Sequence, residues 1–156
     1  MGRIVTKIKI ENLGEILLAE RGLYPADQVK SIELDALVDT GATLICLTPK
    51  DIERLGLSLL TTRMAITANG TVECRIFQGA RLTILGRTCT TDVMEVPEGT
   101  PALIGYIPLE NLDLVVDPKQ QAVTPNPAHG GRMVMDLYFI ASRTASRSTP
   151  GNPRSP

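Results

Sequence analysis

The sequence contains no tryptophan, and aromatic residues account for only 3% of its 156 residues. The formal net charge is -1, and no basic stretch is interleaved with aromatic residues. The features that neutralise phosphates and stack on bases are therefore missing. No apolar run approaches the ~20 residues that a membrane-spanning helix needs, and the first residues lack the apolar stretch of a signal peptide. We predict a cytoplasmic protein that binds neither nucleic acid nor membranes.

Histidine and cysteine are also scarce. His129 is the only histidine, and it lies in the Pro/Gly-rich stretch 125–131, which is a weak place for a preorganised base. We interpret it as a solvated loop residue. Cys46, Cys74 and Cys89 are odd in number and lack the spacing of a metal site. We predict buried thiols in a reducing compartment, and no metal or other cofactor.

Most of the chain has the pattern of β-strands. Apolar and polar residues alternate over Ile4–Ile10, which predicts a half-buried strand. A second strand is predicted over Val29–Val38. The sequence Asn12-Leu13-Gly14 is interpreted as a turn that leads into a hairpin strand over Glu15–Ala19.

Two later hairpins have clear turn sequences. Asn69-Gly70 stands between strand-like runs at Thr61–Thr67 and Thr71–Phe77. This dipeptide indicates a tight hairpin, because both turn positions need a positive φ. A second hairpin is predicted across Leu85-Gly86, with Ala80–Ile84 on one side.

Helical signals are short. Thr48 as N-cap, Pro49 in the first turn and Gly56 as C-terminal stop predict a helix of about two turns. A further short helix is expected near Pro108–Leu112. The fold class is therefore mainly β, with one or two short helices. We assign residues 1–124 to one domain, 125–140 to a C-terminal extension with room for one more strand, and 141–156 to a disordered tail.

The most informative residues are Asp39-Thr40-Gly41-Ala42, which follow the apolar run Ala36-Leu37-Val38. A strand that ends in a carboxylate, a hydroxyl and a glycine delivers an acid to a tight turn that a ligand backbone can approach. A shorter repeat of this pattern, in which a strand is followed by a glycine and a helix, occurs at Leu103-Ile104-Gly105. This second copy lacks the Asp-Thr pair. The chain therefore supplies one such acidic loop.

The order of these elements resembles the retropepsin-like aspartic proteases, the single-lobe, dimeric relatives of pepsin found in retroviruses and, as small proteins, in bacteria. Leu37–Thr43 is similar to their catalytic loop, and the hairpin at Asn69-Gly70 is similar to the flap above the substrate. Leu103-Ile104-Gly105 is similar to the element that closes the psi-shaped loop beside the active site. The resemblance covers roughly residues 29–118, and it implies a single-lobe acid protease barrel.

The resemblance implies a role for each matching residue. Asp39 would be the catalytic aspartate, Thr40 would hydrogen-bond across the dimer axis, and Gly41 would let the substrate backbone approach. Ala42 matches the retroviral type, and Thr43 ends the loop. The implied flap tip consists of four residues: Ala68, Asn69, Gly70 and Thr71.

Peptide hydrolysis by carboxyl groups needs one group to deprotonate water and another to protonate the carbonyl oxygen. Because the chain has one Asp39, the resemblance implies a homodimer in which each subunit supplies one carboxyl to a peptide or protein substrate. We therefore predict an aspartic endopeptidase.

Other interpretations stay open at this stage. Asp39 is, in the simplest one, a turn residue that accepts hydrogen bonds from backbone amides. Asp-x-Gly followed by threonine also opens the phosphate loop of actin-like and sugar-kinase ATPases, although those folds need two large lobes. A dimeric peptide-binding module without turnover would use the same groove, and the intact Asp39-Thr40-Gly41 argues against such a loss.

Overall fold

The structure is a computed structural model that describes residues 2–137. The described chain forms nine strands and three helices, in this order: β1 (Val5–Asn12), α1 (Leu13–Glu20), β2 (Ser31–Val38), β3 (Ile45–Leu47), α2 (Pro49–Leu55), β4 (Ser58–Thr67), β5 (Gly70–Ile84), β6 (Arg87–Glu95), β7 (Leu103–Ile104), α3 (Tyr106–Asn111), β8 (Leu114–Asp117) and β9 (Ala122–Pro125). Short 3-10 turns occur at Ala26–Gln28 and Pro127–His129. No helix among residues 2–137 is long and apolar enough to cross a membrane.

Six strands of the main sheet close into a barrel. The sheet order is β1-β2-β7-β3-β6-β5-β4, and β1 pairs a second time with residues 80–83 of β5. Along β1, Ile8 and Ile10 point into the core while Lys7 and Lys9 stay more exposed, as the alternation predicts. Each such buried side chain contributes about 1.5–3 kcal/mol. The mainly β, single-lobe barrel expected from the sequence is confirmed.

Strand β5 has 15 residues and serves two parts of the fold. Its first half pairs with β4 in a hairpin, and its second half pairs with β1 in the barrel wall. An irregularity between Phe77 and Ala80 separates the halves, and Gly79 there has a φ of +85°. Such bulges bend a strand. The β4–β5 hairpin therefore extends the sheet beyond the closed barrel.

The predicted hairpin strand at Glu15–Ala19 is wrong, because residues Leu13–Glu20 form helix α1. The Asn12 side chain accepts a hydrogen bond from the Glu15 N–H at 3.0 Å, which caps the helix. The Asn12 amide also donates to the carbonyl of Leu55 at 2.9 Å. The asparagine thus serves as a helix cap with a tertiary contact, and the described fold has three helices rather than one or two.

The two predicted hairpin turns differ in geometry. Leu85 and Gly86 have φ values of +50° and +77°, as expected for a turn with two left-handed residues. At the other turn, Thr67 pairs with Gly70, and Gly70 has a φ of +117° while Asn69 is not in the positive-φ region. The prediction of two positive φ values at Asn69-Gly70 is therefore wrong, although the hairpin itself is present.

The C-terminal part of the described chain packs around Asp113. Strands β8 and β9 form a separate two-stranded sheet. Beyond them, His129 is not a solvated loop residue, because its Nδ1 lies 2.6 Å from the Asp113 carboxylate. Residues 132–137 are not in a strand, and the other residues assigned to an extra strand or a disordered tail lie outside the described part of the chain.

The three cysteines are free thiols, and the prediction that all are buried holds in part. Cys46 is buried, whereas Cys74 and Cys89 are half-buried. Cys46 and Cys74 both lie on the wall of one cleft. Two of the three cysteines therefore line the same cleft, which the sequence did not predict.

Candidate active site

Asp39 lies immediately beyond the last residue of β2. Strand β2 runs parallel to β7, with Val38 opposite Ile104. The Asp39 N–H continues this pairing by donating to the Ile104 carbonyl at 3.0 Å. The backbone of the carboxylate is therefore positioned by the sheet, although the side chain itself is exposed.

The loop after Asp39 is a tight turn. The Asp39 Oδ1 accepts a hydrogen bond from the Gly41 N–H at 2.9 Å, and the Asp39 carbonyl accepts one from the Ala42 N–H at 3.0 Å. Thr40 and Thr43 are exposed on the same loop. The turn orients the carboxylate while leaving the loop surface accessible.

The start of helix α3 supports this loop from behind. The N–H groups of Gly105, Tyr106 and Ile107 donate to the carbonyls of Leu44, Ala42 and Thr43, in that order, at 3.0, 3.0 and 3.2 Å. The first N–H groups of a helix have no partner within the helix. Here the loop supplies those partners.

Gly105 is required by close packing. A Cβ at this position would lie 2.5 Å from the backbone carbon of Thr43 and 2.7 Å from the Ala42 carbonyl oxygen. These are backbone atoms, which cannot rotate away as a side chain can. The position of Leu103-Ile104-Gly105 beside the acidic loop follows from this contact and from the β2–β7 pairing.

A cleft of about 610 Å³ separates the acidic loop from the β4–β5 hairpin. Its walls are mostly apolar. They include Leu44, Leu103 and Met94 from the barrel, Val96 and Pro97 after β6, and Ala65, Val72, Cys74 and Ile76 from the hairpin. Such a mostly apolar groove with a few polar groups is typical of a binding site.

The residues assigned to the flap tip lie at the far end of the hairpin. Ala68, Asn69, Gly70 and Thr71 are not part of the wall around Asp39. The Thr67 hydroxyl donates to the Gly70 carbonyl at 2.7 Å and accepts from the Asn69 N–H at 3.3 Å, which shapes the tip. The structure thus brings the acidic loop together with residues 63–67 and 72–76 of the hairpin.

Sequence analysis missed these hairpin wall residues. Val72, Cys74 and Ile76 recur every second position, which places them on one face of β5. With the hairpin placed above Asp39, that alternation could have predicted which residues of β5 line the cleft. The residues after β6, Val96 and Pro97, carried no local signal.

Two titratable features border the cleft, the Cys46 thiol and the Arg75–Glu95 ion pair. Burial raises the pKa of the Cys46 thiol to about 11, with smaller contributions from the Asp39 charge and from Cys74. The Glu95 carboxylate accepts two hydrogen bonds from Arg75, at 2.7 and 3.0 Å, and the Arg75 guanidinium lies 5.2 Å from the Phe77 ring centre. Cys46 is therefore protonated at neutral pH, and Glu95 is already paired.

The comparisons with known proteins agree with this geometry. The sequence model of a family described as "Aspartyl protease" matches residues 28–107, which is just over half of the chain. The match spans β2, the acidic loop, the hairpin, β7 and the start of α3. No curated protein matches the chain. The chain belongs to the retropepsin-like aspartyl protease family.

Proposed function

We propose that the protein is an aspartic endopeptidase that acts as a homodimer, with Asp39 of each subunit in one active centre. The observation that carries the proposal is the position of Asp39. It stands at a strand end, its carboxylate bonded to the Gly41 N–H, and it opens onto a mostly apolar cleft of about 610 Å³ below a hairpin. The family of the chain supports the same reaction class.

The reaction needs two carboxyl groups with different protonation. One carboxylate removes a proton from water, whose oxygen attacks the peptide carbonyl carbon. The second, protonated carboxyl gives its proton to the carbonyl oxygen. The tetrahedral intermediate then breaks its C–N bond. The leaving nitrogen takes the proton that the first carboxyl removed from water, and one hydroxyl of the intermediate returns its proton to the second carboxylate as the carbonyl re-forms. Two carboxyls about 3 Å apart share one proton, which prepares both roles at once.

A single chain supplies one Asp39, so the second carboxyl comes from a second copy related by a two-fold axis. In this proposal the exposed Thr40 hydroxyl bonds across that axis. Gly41 has no side chain, and the substrate backbone passes beside it. The β4–β5 hairpin covers an extended peptide and excludes water from the reacting bond.

The decisive experiment replaces Asp39 with asparagine, which keeps the shape and removes the acid. Cleavage of a peptide library should fall at least about 1,000-fold, because general acid–base catalysis is lost. Circular dichroism and sedimentation should show an unchanged fold and dimer. The matched control is Asp35→Asn, which changes an exposed aspartate on the same strand and should leave cleavage unchanged.

Mixed dimers test the shared centre directly. Wild type and Asp39→Asn chains, exchanged at equal amounts, should give about one quarter of the activity of the same total amount of wild type, because only pairs of wild-type chains are active. Independent active sites would give about one half. Cleavage that survives Asp39→Asn contradicts the proposal, and peptide binding by wild type without cleavage would indicate a binding module instead.

A further inference from the structure

Arg63 on strand β4 is the one cationic side chain among the described residues that line the cleft. We infer that Arg63 recognises a carboxylate side chain of the substrate. The enzyme would thus select extended peptides that carry aspartate or glutamate close to the scissile bond. This inference rests on the proposed function, and it names the substrate class for that site.

Arg63 lines the cleft and shares one face of the hairpin with three other residues of the cleft wall. Arg63 pairs with Cys74, and Ala65 pairs with Val72. Residues two apart on a strand, and directly paired residues on its neighbour, share one face of the sheet. All four of these residues line the cleft. Met64 and Ile66, on the alternate positions of β4, also reach it, whereas Glu73 on β5 does not.

Arg63 has no carboxylate partner within residues 2–137. The six ion pairs found there do not include it. The other acidic groups of the cleft wall are Asp39 and Glu95. Glu95 is already bonded twice to Arg75, and Asp39 is the group that performs the proposed chemistry. The guanidinium of Arg63 is therefore left to a carboxylate from outside the chain.

The surroundings of Arg63 make this recognition selective. A guanidinium donates two parallel hydrogen bonds to the two oxygens of a carboxylate. The amide of glutamine has only one oxygen and no negative charge, so it cannot accept both bonds. Neighbouring wall residues such as Ala65 and Val72 are apolar, so they favour apolar substrate residues next to the acidic one. Arg63 itself is exposed, which limits the expected preference to about fivefold.

The two-fold symmetry of the proposed dimer also predicts where acidic residues lie in the substrate. Each subunit of the proposed dimer contributes one Arg63, so one guanidinium stands above each half of the bound peptide. Acidic residues should therefore be favoured on both sides of the scissile bond. A substrate with one on each side should be cleaved best.

The test uses pairs of peptides that differ only by glutamate or glutamine. The parent is a peptide that the wild type cleaves, and each position within four residues of the cut is varied in turn. Wild type should show a kcat/KM about fivefold higher for glutamate than for glutamine at one position on each side. Arg63→Gln should lower that ratio to about one, because cleavage of the glutamate peptides falls by more than cleavage of the glutamine peptides. Arg63→Glu should favour lysine over glutamine at the same position. Arg54→Gln, which changes an exposed arginine on helix α2, is the matched control and should keep the wild-type ratio.

Several results would overturn the inference. Equal cleavage of glutamate and glutamine peptides by wild type would do so, as would an equal loss on all peptides in Arg63→Gln, which would indicate a structural role. A weakened dimer in Arg63→Gln, measured by sedimentation, would place Arg63 at the subunit contact instead.

Failure of the protease proposal is distinguishable from failure of this one. If no peptide is cleaved by wild type, the binding of the same labelled peptides is measured by fluorescence anisotropy, with wild type and with Arg63→Gln. A preference of wild type for glutamate peptides that Arg63→Gln loses would support the role of Arg63 without any catalysis. Equal binding of both peptides by both proteins would overturn it.

Discussion

The N–H of Tyr106 donates a hydrogen bond to the carbonyl of Ala42 at 3.0 Å, which joins the first turn of helix α3 to the loop that carries Asp39. The two residues are far apart in sequence, and the contact leaves no room for a side chain at Gly105. The acidic loop is thus held in place by hydrogen bonds from a helix that contributes no reacting group.

Gly105→Ala should damage both the fold and the activity. The added methyl would lie 2.5–2.7 Å from backbone atoms of residues 42–44, so the loop or the helix must move. We expect a loss of about 1–3 kcal/mol in unfolding free energy. We also expect peptide cleavage to fall well over tenfold at temperatures where the variant is still folded. Urea unfolding and kcat/KM measure the two effects, and unchanged values of both would contradict the packing described for Gly105.

Asn12 should stabilise the fold by more than an ordinary helix cap does. It is buried, and its side chain caps α1 while its amide donates to the carbonyls of Leu55 and Gly56, at 2.9 and 3.2 Å. Asn12→Ala removes the cap and leaves the buried Leu55 carbonyl without this donor, so it should cost about 2–4 kcal/mol. Asn12→Asp keeps the cap acceptor and loses the donors, and it should still be destabilising.

The matched control for Asn12 is Thr48→Ala, which removes a helix cap without a tertiary bond. It should cost only about 1 kcal/mol. Denaturant unfolding at one fixed protein concentration measures all three variants. Equal losses for Asn12→Ala and Thr48→Ala would show that the tertiary bonds of Asn12 contribute nothing.

Asp113 should make the free energy of unfolding depend on pH. The hydrogen bond from His129 is the largest cause that holds the pKa of Asp113 below its ordinary value of 3.8, and the Val134 N–H and Asn126 amide add to it. A carboxyl with a lowered pKa in the folded state stabilises the fold above its ordinary pKa, and this contribution is lost as pH falls through the folded value.

The variant Asp113→Asn isolates this contribution. Asp113 has a φ of +51°, and asparagine tolerates that backbone region as well as aspartate does. The difference in unfolding free energy between wild type and Asp113→Asn should be fully present just above about pH 4 and should shrink at lower pH. His129→Gln should weaken this acid dependence. A difference that stays constant down to pH 2 would contradict the lowered pKa.

The cysteines should differ in reactivity. With a pKa of about 11, only about one in a thousand Cys46 thiols is ionised at pH 8, and the side chain is buried. Burial also raises the pKa of Cys89. Half-buried Cys74 on the cleft wall should therefore react first with iodoacetamide, as measured by mass spectrometry of the native protein.

Modification of Cys74 should also block the cleft. The added group would occupy space beside Val72 and Ile76, so cleavage should fall in step with labelling. Cys74→Ser should retain activity in the presence of the reagent, which makes it the control. Faster labelling of Cys46 than of Cys74 would contradict the burial described for these residues.

Local patterns were sufficient for much of the fold. Alternation predicted β1, the Thr48-Pro49 pair predicted the start of α2, and Leu85-Gly86 predicted a hairpin turn, all of which the structure contains. Helix α1 was missed because Asn12 favours turns and helix caps alike. Its amide bond to Leu55, distant in sequence, accompanies the helix.

The sequence by itself determined the acidic loop, because a carboxylate two residues before a glycine can accept the Gly41 N–H within one tight turn. Only the tertiary structure decided what stands around it. The pairing of β2 with β7, the donors of α3 and the cleft face of the hairpin all join residues that are remote in sequence. Those contacts depend on closure of the barrel, and no short stretch of sequence encodes that closure.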